Sequence, residues 1–270
     1  MNHNYENLKS INQTHEKNTL SNKYKFIPTT KVIDMIKSKG WYVSSASEGR
    51  TNKETNQGFQ KHMVRFQHPE LSRLGKMEVG ELRPEMVLYN SHDGASSFKF
   101  MLGIYRCICS NQMTVSDSQL AAMRVRHMGF KPAEVFKAIE GVVTNVPQLT
   151  SKVEKFGAIQ LTNSEKQLFA ESATTLRFDN VDFLNQEYKR DYASKLLGIR
   201  RYGDNGDDLW KVFNRIQENL LNGGIRRVKG LDDYGRVKQG KTRAIKSVSQ
   251  NIKLNQALWT LTEKMAEFKS

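Results

Sequence analysis

Residues 86–108 have the sequence MVLYNSHDGASSFKFMLGIYRCI, in which two apolar segments enclose a polar one. Met86 to Tyr89 and Phe98 to Ile108 are rich in the aliphatic and aromatic residues that favour strands. The Asn90–Ser97 segment between them carries the Asn, Asp, Gly and Ser residues that turns select. The stretch therefore predicts two strands joined by a hairpin turn.

Two further strands and a helix are predicted before this hairpin. Trp41 to Ser47 and Gln60 to Phe66 predict strands, and polar residues separate them. Thr29 or Thr30 is placed to cap a short helix that ends near Gly40. Together these segments predict an α+β protein with a short leading helix and an N-terminal antiparallel sheet of about four strands.

The C-terminal half is predicted to be mostly helical. A helix that begins at Pro132 is expected to end before Pro147, and Thr162 and Glu165 have the spacing of a capping box. Apolar residues at helical spacing mark two more helices, over 206–223 and 254–268. The predicted organisation is a disordered tail over 1–22, a sheet region over 23–130, and a helical region over 131–270 with a basic loop at 225–246.

Composition bounds the class of protein. The chain has 270 residues and a formal net charge of +14. It contains no apolar run of the roughly 18 residues that span a bilayer, and its polar start lacks the apolar stretch of a signal peptide. Cys107 and Cys109 lie two apart in an apolar run, where a strand would point both side chains to one face as small, buried hydrophobic residues. Two such cysteines are compatible with a reducing compartment. We expect a cytoplasmic protein with no membrane contact.

Positive charge is concentrated in one part of the chain. Between Lys189 and Lys246 there are 15 Lys and Arg residues but only 7 Asp and Glu. The densest part, residues 225–246, contains several glycines and predicts a mobile loop. Its cations would lie along the phosphates of a nucleic acid and release the bound counterions. The alternative interpretation is a solvated surface loop. The predicted nucleic-acid-binding residues are Arg226, Arg227, Lys229, Arg236, Lys238, Lys241, Arg243, Lys246, Arg200 and Arg201.

Two motifs invite a catalytic interpretation. Gly235 to Thr242 matches the letters of a phosphate loop, but the polar residues before it cannot supply the buried strand that such a loop follows. The segment after Tyr89 places His92 beside Asp93, yet adjacent side chains rarely face one another, so catalysis would need partners from elsewhere. We therefore predict no catalytic site, no metal site and no cofactor.

The run from Asn90 through Arg106 to Asn111 resembles a family of phage- and plasmid-borne proteins of uncharacterised function. Arg126-His127, Asp208-Leu209-Trp210 and Leu258-Trp259 look like the same family, so the resemblance covers roughly residues 25 to 268. Members usually have a glycine after Asn111, where this chain has Gln112. The resemblance implies a mobile-element context and no particular reaction. The candidate functional turn consists of Asn90, His92, Asp93, Arg106 and Asn111.

A weaker likeness lies in the order of elements. One helix, three or four strands and then a long helix, with basic residues on both parts, is similar to phage single-strand annealing proteins. Such an analogy concerns the fold and does not by itself establish function.

These observations lead to three functional hypotheses. The first is a nucleic-acid-binding protein of a mobile element that binds DNA with little sequence preference and supports single-strand annealing or DNA protection. The alternative is an anti-defence interaction protein that binds an acidic host protein, and the third is a metal-dependent nuclease. The predicted partner is nucleic acid, DNA before RNA, and self-association into a homo-oligomer is left open.

Overall fold

The computed structural model describes residues 5–18, 20, 24–74, 82–106, 112–114, 123–125, 131–178 and 185–270. They belong to two compact units, one of Met1–Leu149 with Ser247–Ser249 and one of Thr150–Lys246 with Gln250–Ser270. An antiparallel sheet follows a short leading helix, and the C-terminal half is mostly helical. The predicted α+β class is confirmed.

The first unit is built on a meander of four long strands. Strands β1 to β4 pair antiparallel in chain order, and two short strands, β5 and β6, both pair with β4. The predicted fourth strand reaches Arg106, and Cys107 and Cys109 lie outside the described residues. The elements are α1 (Thr29–Lys37), β1 (Tyr42–Glu48), β2 (His62–Gln67), α2 (Pro69–Leu74), β3 (Leu82–Asn90), β4 (Phe98–Arg106), β5 (Gln112–Thr114) and β6 (Met123–Val125).

Both faces of the central strand β2 are buried, whereas β1 at the sheet edge is only partly buried. Phe66 on one face is inaccessible to solvent, and burial of such a side chain stabilises the fold by about 1.5–3 kcal/mol. Helix α1 lies over this face, because its Thr29 contacts His62. Arg65 and Glu85 occupy the opposite face as a fully buried ion pair with a 2.9 Å separation.

Part of the predicted disordered tail is ordered. Residues 5–18 begin with a 3-10 turn at Tyr5–Asn7, and Ile11 is inaccessible to solvent. The backbone N–H and the hydroxyl of Ser10 donate to the Glu48 carboxylate at 2.9 and 2.8 Å. The tail prediction missed this segment because its three apolar residues, Tyr5, Leu8 and Ile11, lie among polar ones and extend over only seven residues. Burial of Ile11 and the contact between Ser10 and Glu48 fix its position.

The C-terminal half contains five α-helices, a 3-10 turn at Tyr202–Asp204 and a hairpin within the described residues. Its elements are α3 (Pro132–Ala158), α4 (Asn163–Thr175), α5 (Gln186–Leu196), α6 (Leu209–Asn222), β7 (Arg226–Leu231), β8 (Val237–Lys241) and α7 (Val248–Phe268). The capping box is confirmed, since Thr162 Oγ1 accepts from the Glu165 N–H and Glu165 accepts from the Thr162 N–H. No helix among the described residues is long and apolar enough to cross a membrane.

Helix α3 continues through Pro147, where the sequence predicted its end. A proline inside a helix removes one backbone donor and costs about 3 kcal/mol. Val146, Leu149 and Val153 fall on one side of the helix and are each at most 3% exposed. Their burial at about 1.5–3 kcal/mol each outweighs the cost of the proline, so the helix persists.

Helices α6 and α7 build the aromatic core of the second unit. Trp210 and Phe213 of α6 stack with 5.4 Å between ring centroids, and Trp259 of α7 meets both rings edge-on. Asp208 caps α6 by accepting from the Lys211 N–H at 2.9 Å. The helix expected over 206–223 is therefore present.

Candidate nucleic-acid interface

The segment predicted to be a basic loop is a β-hairpin. Strands β7 and β8 pair antiparallel with Arg226 opposite Lys241 and Val228 opposite Gln239, and the register shifts between Val228 and Gly230. The loop prediction is wrong because the backbone groups of the two strands satisfy each other and Val228 is buried. The cations therefore have fixed strand positions.

Hydrogen bonds close the base of the hairpin and anchor it to the rest of the second unit. The Thr242 N–H donates to the Ile225 carbonyl at 2.9 Å, and the Ile225 N–H donates to Thr242 Oγ1 at 3.2 Å. The guanidinium of Arg177 donates to the carbonyls of Leu220 and Arg243. The strands thus leave helix α6 from an anchored point.

The tip of the hairpin is closed by Asp232. Its carboxylate accepts from the backbone N–H groups of Tyr234 and Arg236 at 2.9 Å each, and from Arg236 Nε at 3.0 Å. The Arg236 and Tyr234 backbone contacts hold the pKa of Asp232 below its usual value, although burial opposes them. Gly235 has a φ of 74°, which a glycine adopts without strain. The turn is preorganised.

Most of the predicted binding cations lie on or just after this hairpin. Arg226, Lys229, Arg236, Lys238, Lys241, Arg243 and Lys246 are all exposed. Arg227 is half-buried, with its guanidinium 4.6 Å from the centre of the Phe178 ring. Within the described part of the chain, the side chains of Lys229, Lys238 and Lys241 contact no carboxylate. The structure thus places these residues on the hairpin and on the segment directly after it.

Arg200 and Arg201 are engaged elsewhere. Arg200 donates to the Asn219 side chain and to the Gly223 carbonyl at the end of α6. Arg201 pairs at 3.1 Å with Glu218, whose side chain is only 4% exposed. Both arginines therefore serve the packing around α6 and are not part of the hairpin surface.

Sequence reasoning missed the exposed side chains at the hairpin tip. Tyr234 is 82% exposed, Leu231 51% and Val237 45%. Among the aromatic residues of the strand region, Trp41 and Phe100 are buried, whereas Tyr42 is 41% exposed. The available signal was Tyr234 itself, an aromatic residue within a polar, glycine-containing segment that lacks a core pattern.

Comparison with known families matches residues 17–259 to the "Domain of unknown function (DUF932)". The chain belongs to the DUF932 family. It is 31% identical over 245 residues to two proteins of Escherichia coli (strain K12), UPF0380 protein YafZ and UPF0380 protein YfjQ. Each alignment covers 90% of this chain and 82% of the relative. No solved structure matches the chain. Membership of an uncharacterised family, predicted from the Asn90–Asn111 run, is confirmed.

The DUF932 region also contains a buried polar cluster beside the Asn90–Ser97 turn. Thr29 Oγ1 lies 2.9 Å from His62 Nε2 and 3.2 Å from His92 Nε2, and the Asn90 amide donates to it at 3.2 Å. All four residues are inaccessible to solvent. Thr29 was predicted as a possible helix cap, but α1 begins with Thr29 and its hydroxyl serves this cluster instead. The contacts fasten α1 to the sheet.

The side chain of Asp93 closes the candidate turn. Its Oδ1 accepts from the Ser91 hydroxyl at 2.6 Å and from the Ala95 N–H at 2.9 Å. The side chain of Arg106 and all of Asn111 lie outside the described residues. Among the described residues of this DUF932 protein, no three His, Cys, Asp or Glu side chains form a group that could hold a metal.

The phosphate-loop letters fall on the hairpin. Gly235 lies in the turn, and Val237 to Lys241 form β8, whose backbone pairs with β7. A phosphate loop needs its backbone N–H groups to face the nucleotide and leads directly into a helix. In this DUF932 chain the pattern has neither feature, since the next helix, α7, begins only at Val248.

Proposed function

We propose that this protein binds nucleic acid through the β7–β8 hairpin, DNA foremost and with little sequence preference. The proposal includes a role in a mobile element, where the protein supports single-strand annealing or protects DNA. Backbone phosphates are its main ligands, because the hairpin presents Lys and Arg side chains that can neutralise them without reading base edges.

One observation carries the proposal: like charges face each other across the hairpin. Arg226 is directly opposite Lys241, a cross-strand arrangement that destabilises a β-pair when nothing neutralises it. An ideal Cβ on Gly240 would lie 2.4 Å from Lys229 Cε, so the Lys229 side chain crosses to the other strand. A phosphate between such groups turns repulsion into attraction and releases its counterions.

The test is the salt dependence of binding to a fluorescent single-stranded oligonucleotide of mixed sequence. A variant with Arg226→Gln, Lys229→Gln, Lys238→Gln and Lys241→Gln removes four exposed cations and spares Arg227, which packs on Phe178. If all four contact phosphates, the slope of log K against log salt becomes flatter by about 3 units, at roughly 0.7 per contact.

A matched control removes the same charge from the first unit. Its substitutions to Gln are at four exposed lysines of that unit: Lys25, Lys31, Lys53 and Lys137. The control should keep the wild-type slope within about one unit, because only localised contacts release counterions at the binding site. Equal slopes for the hairpin variant and the wild type would remove the hairpin from the binding site.

A second measurement separates nucleic acid from an acidic protein as the partner. Polyaspartate carries a similar density of negative charge but lacks phosphates and bases. An excess of polyaspartate should displace the oligonucleotide poorly if the hairpin recognises phosphodiesters. Displacement at equal charge concentration would favour an acidic protein surface as the natural partner.

A further inference from the structure

The tip of the hairpin presents a second kind of surface beside the cations. Leu231 and Val237 pair across the strands next to the turn, and Tyr234 lies in the turn itself. The three side chains are between 45% and 82% exposed, which a purely solvated turn does not require. Such an apolar group within a strongly basic segment calls for a ligand that is both anionic and apolar.

Tyr234 is held in a geometry suited to stacking. The guanidinium of Arg236 lies over its ring, with Cζ 5.1 Å from the ring centre. Asp232 fixes that guanidinium at 3.0 Å and also binds the Tyr234 N–H. With one ring face next to Arg236 and 82% of the residue exposed, the remaining ring surface faces solvent.

We propose that the tip is a stacking platform for an unpaired base, with Tyr234 as its centre and Lys229 and Lys238 as the flanking phosphate contacts. The inference rests on the proposed function and specifies its substrate class as single-stranded nucleic acid. Bases of a duplex are already stacked on each other and their flat faces are closed to the tip. Unpaired bases of any sequence offer a π face, so the platform selects strand state and tolerates sequence.

The deciding variant is Tyr234→Ala, compared with Tyr234→Phe and Tyr234→Leu. Loss of one base-stacking contact should weaken single-strand binding by between about 5-fold and 150-fold, whereas the Phe variant keeps wild-type affinity. The Leu variant keeps apolar area without an aromatic face and should behave like Ala. Affinity for a duplex of the same length should change by less than about 2-fold, because its phosphate contacts remain.

A fluorescence readout tests stacking directly. Trp41, Trp210 and Trp259 are each at most 3% exposed, so a Tyr234→Trp variant adds one solvent-facing indole. Stacking on a base should quench this added emission when single strands bind, and a duplex should leave it unchanged. Because Tyr234 is exposed, all four variants should retain the wild-type melting temperature.

The outcomes separate the platform from the proposed function. Salt-dependent binding that Tyr234→Ala leaves intact would overturn the platform and leave phosphate binding by the hairpin in place. Equal weakening of single-strand and duplex binding would also overturn it, because the tip would then contact both forms alike. Absence of binding by the wild-type protein at low salt would overturn the proposed function and the platform together.

Discussion

Arg65 needs a charged partner, because its guanidinium lies in the sheet of the first unit with no exposure to water. Its guanidinium donates to Glu85 at 2.9 Å, and the same carboxylate accepts from Gln67 at 2.8 Å and Ser44 at 2.9 Å. Burial lowers the pKa of Arg65, and the Glu85 charge opposes that shift. The carboxylate therefore holds three strands together through one buried site.

We predict that Glu85→Ala destabilises the fold by about 3–5 kcal/mol, because it leaves a buried charge without its partner. A double variant, Arg65→Met with Glu85→Leu, should lose less than Glu85→Ala alone, since it removes both charges and keeps apolar volume. Urea unfolding followed by circular dichroism measures both. A loss below about 1 kcal/mol for Glu85→Ala would mean that water reaches Arg65 in the native state.

The residue scale also limits what sequence can reveal about the candidate site. The hairpin cations could be predicted from the sequence, because residues close together along the chain remain close together in a hairpin. The sequence predicts Arg200 and Arg201 on the same surface. Their partners, Asn219 and Glu218, belong to α6, and a count of charges along the chain does not reveal such contacts between elements. His92 was recognised beside Asp93, whereas its true neighbours, Thr29 and His62, are distant in sequence.

At the scale of elements, local patterns predicted the helices well where the determinants are local. The capping box of α4 lies within four residues, and α6 is delimited by Asp208 at its N-terminus and Gly223 at its C-terminus. The prediction that α3 ends before Pro147 is wrong, because the helix is stabilised by burial against residues distant in sequence, which local patterns do not include. The hairpin was missed for a related reason: its strands carry almost no alternation of apolar residues, and its pairing depends on an anchored base.

The capping box of α4 makes a prediction about pH. The Lys269 side chain, 2.9 Å from Glu165, and the Thr162 N–H lower the pKa of Glu165 to about 2. A depressed pKa means that these contacts contribute stability above the unfolded value of 4.5 and lose it as pH falls from 4.5 towards 2. An NMR titration of the Glu165 carboxyl carbon should show its midpoint near pH 2.

The variant Lys269→Ala provides the control for this titration. Because Lys269 is the largest cause of the shift, its removal should move the Glu165 midpoint upward while the Thr162 contact keeps it below the unfolded value. A midpoint that stays in place would show that the lysine contributes nothing and that the cap alone lowers the pKa.

At the scale of the whole molecule, net charge and its placement suggest how a binding element could act on two strands. The chain carries a formal charge of +14, and the hairpin with the residues just after it carries part of that charge on exposed side chains. Complementary strands repel each other through their phosphates, so a protein that neutralises both backbones lowers the barrier to their encounter. A platform that holds bases without reading them would keep those bases available for pairing.

We therefore predict that the protein accelerates annealing of two complementary oligonucleotides by about tenfold or more over the spontaneous rate at low salt. The rate, followed by energy transfer between dyes on the two strands, should fall as salt rises. It should also fall in the variant with four hairpin cations replaced by Gln, and the matched control at Lys25, Lys31, Lys53 and Lys137 should anneal like the wild type. Tight single-strand binding with a spontaneous annealing rate would contradict an annealing role and leave protection: bound strands would then resist a single-strand nuclease, and the hairpin variant would lose that resistance.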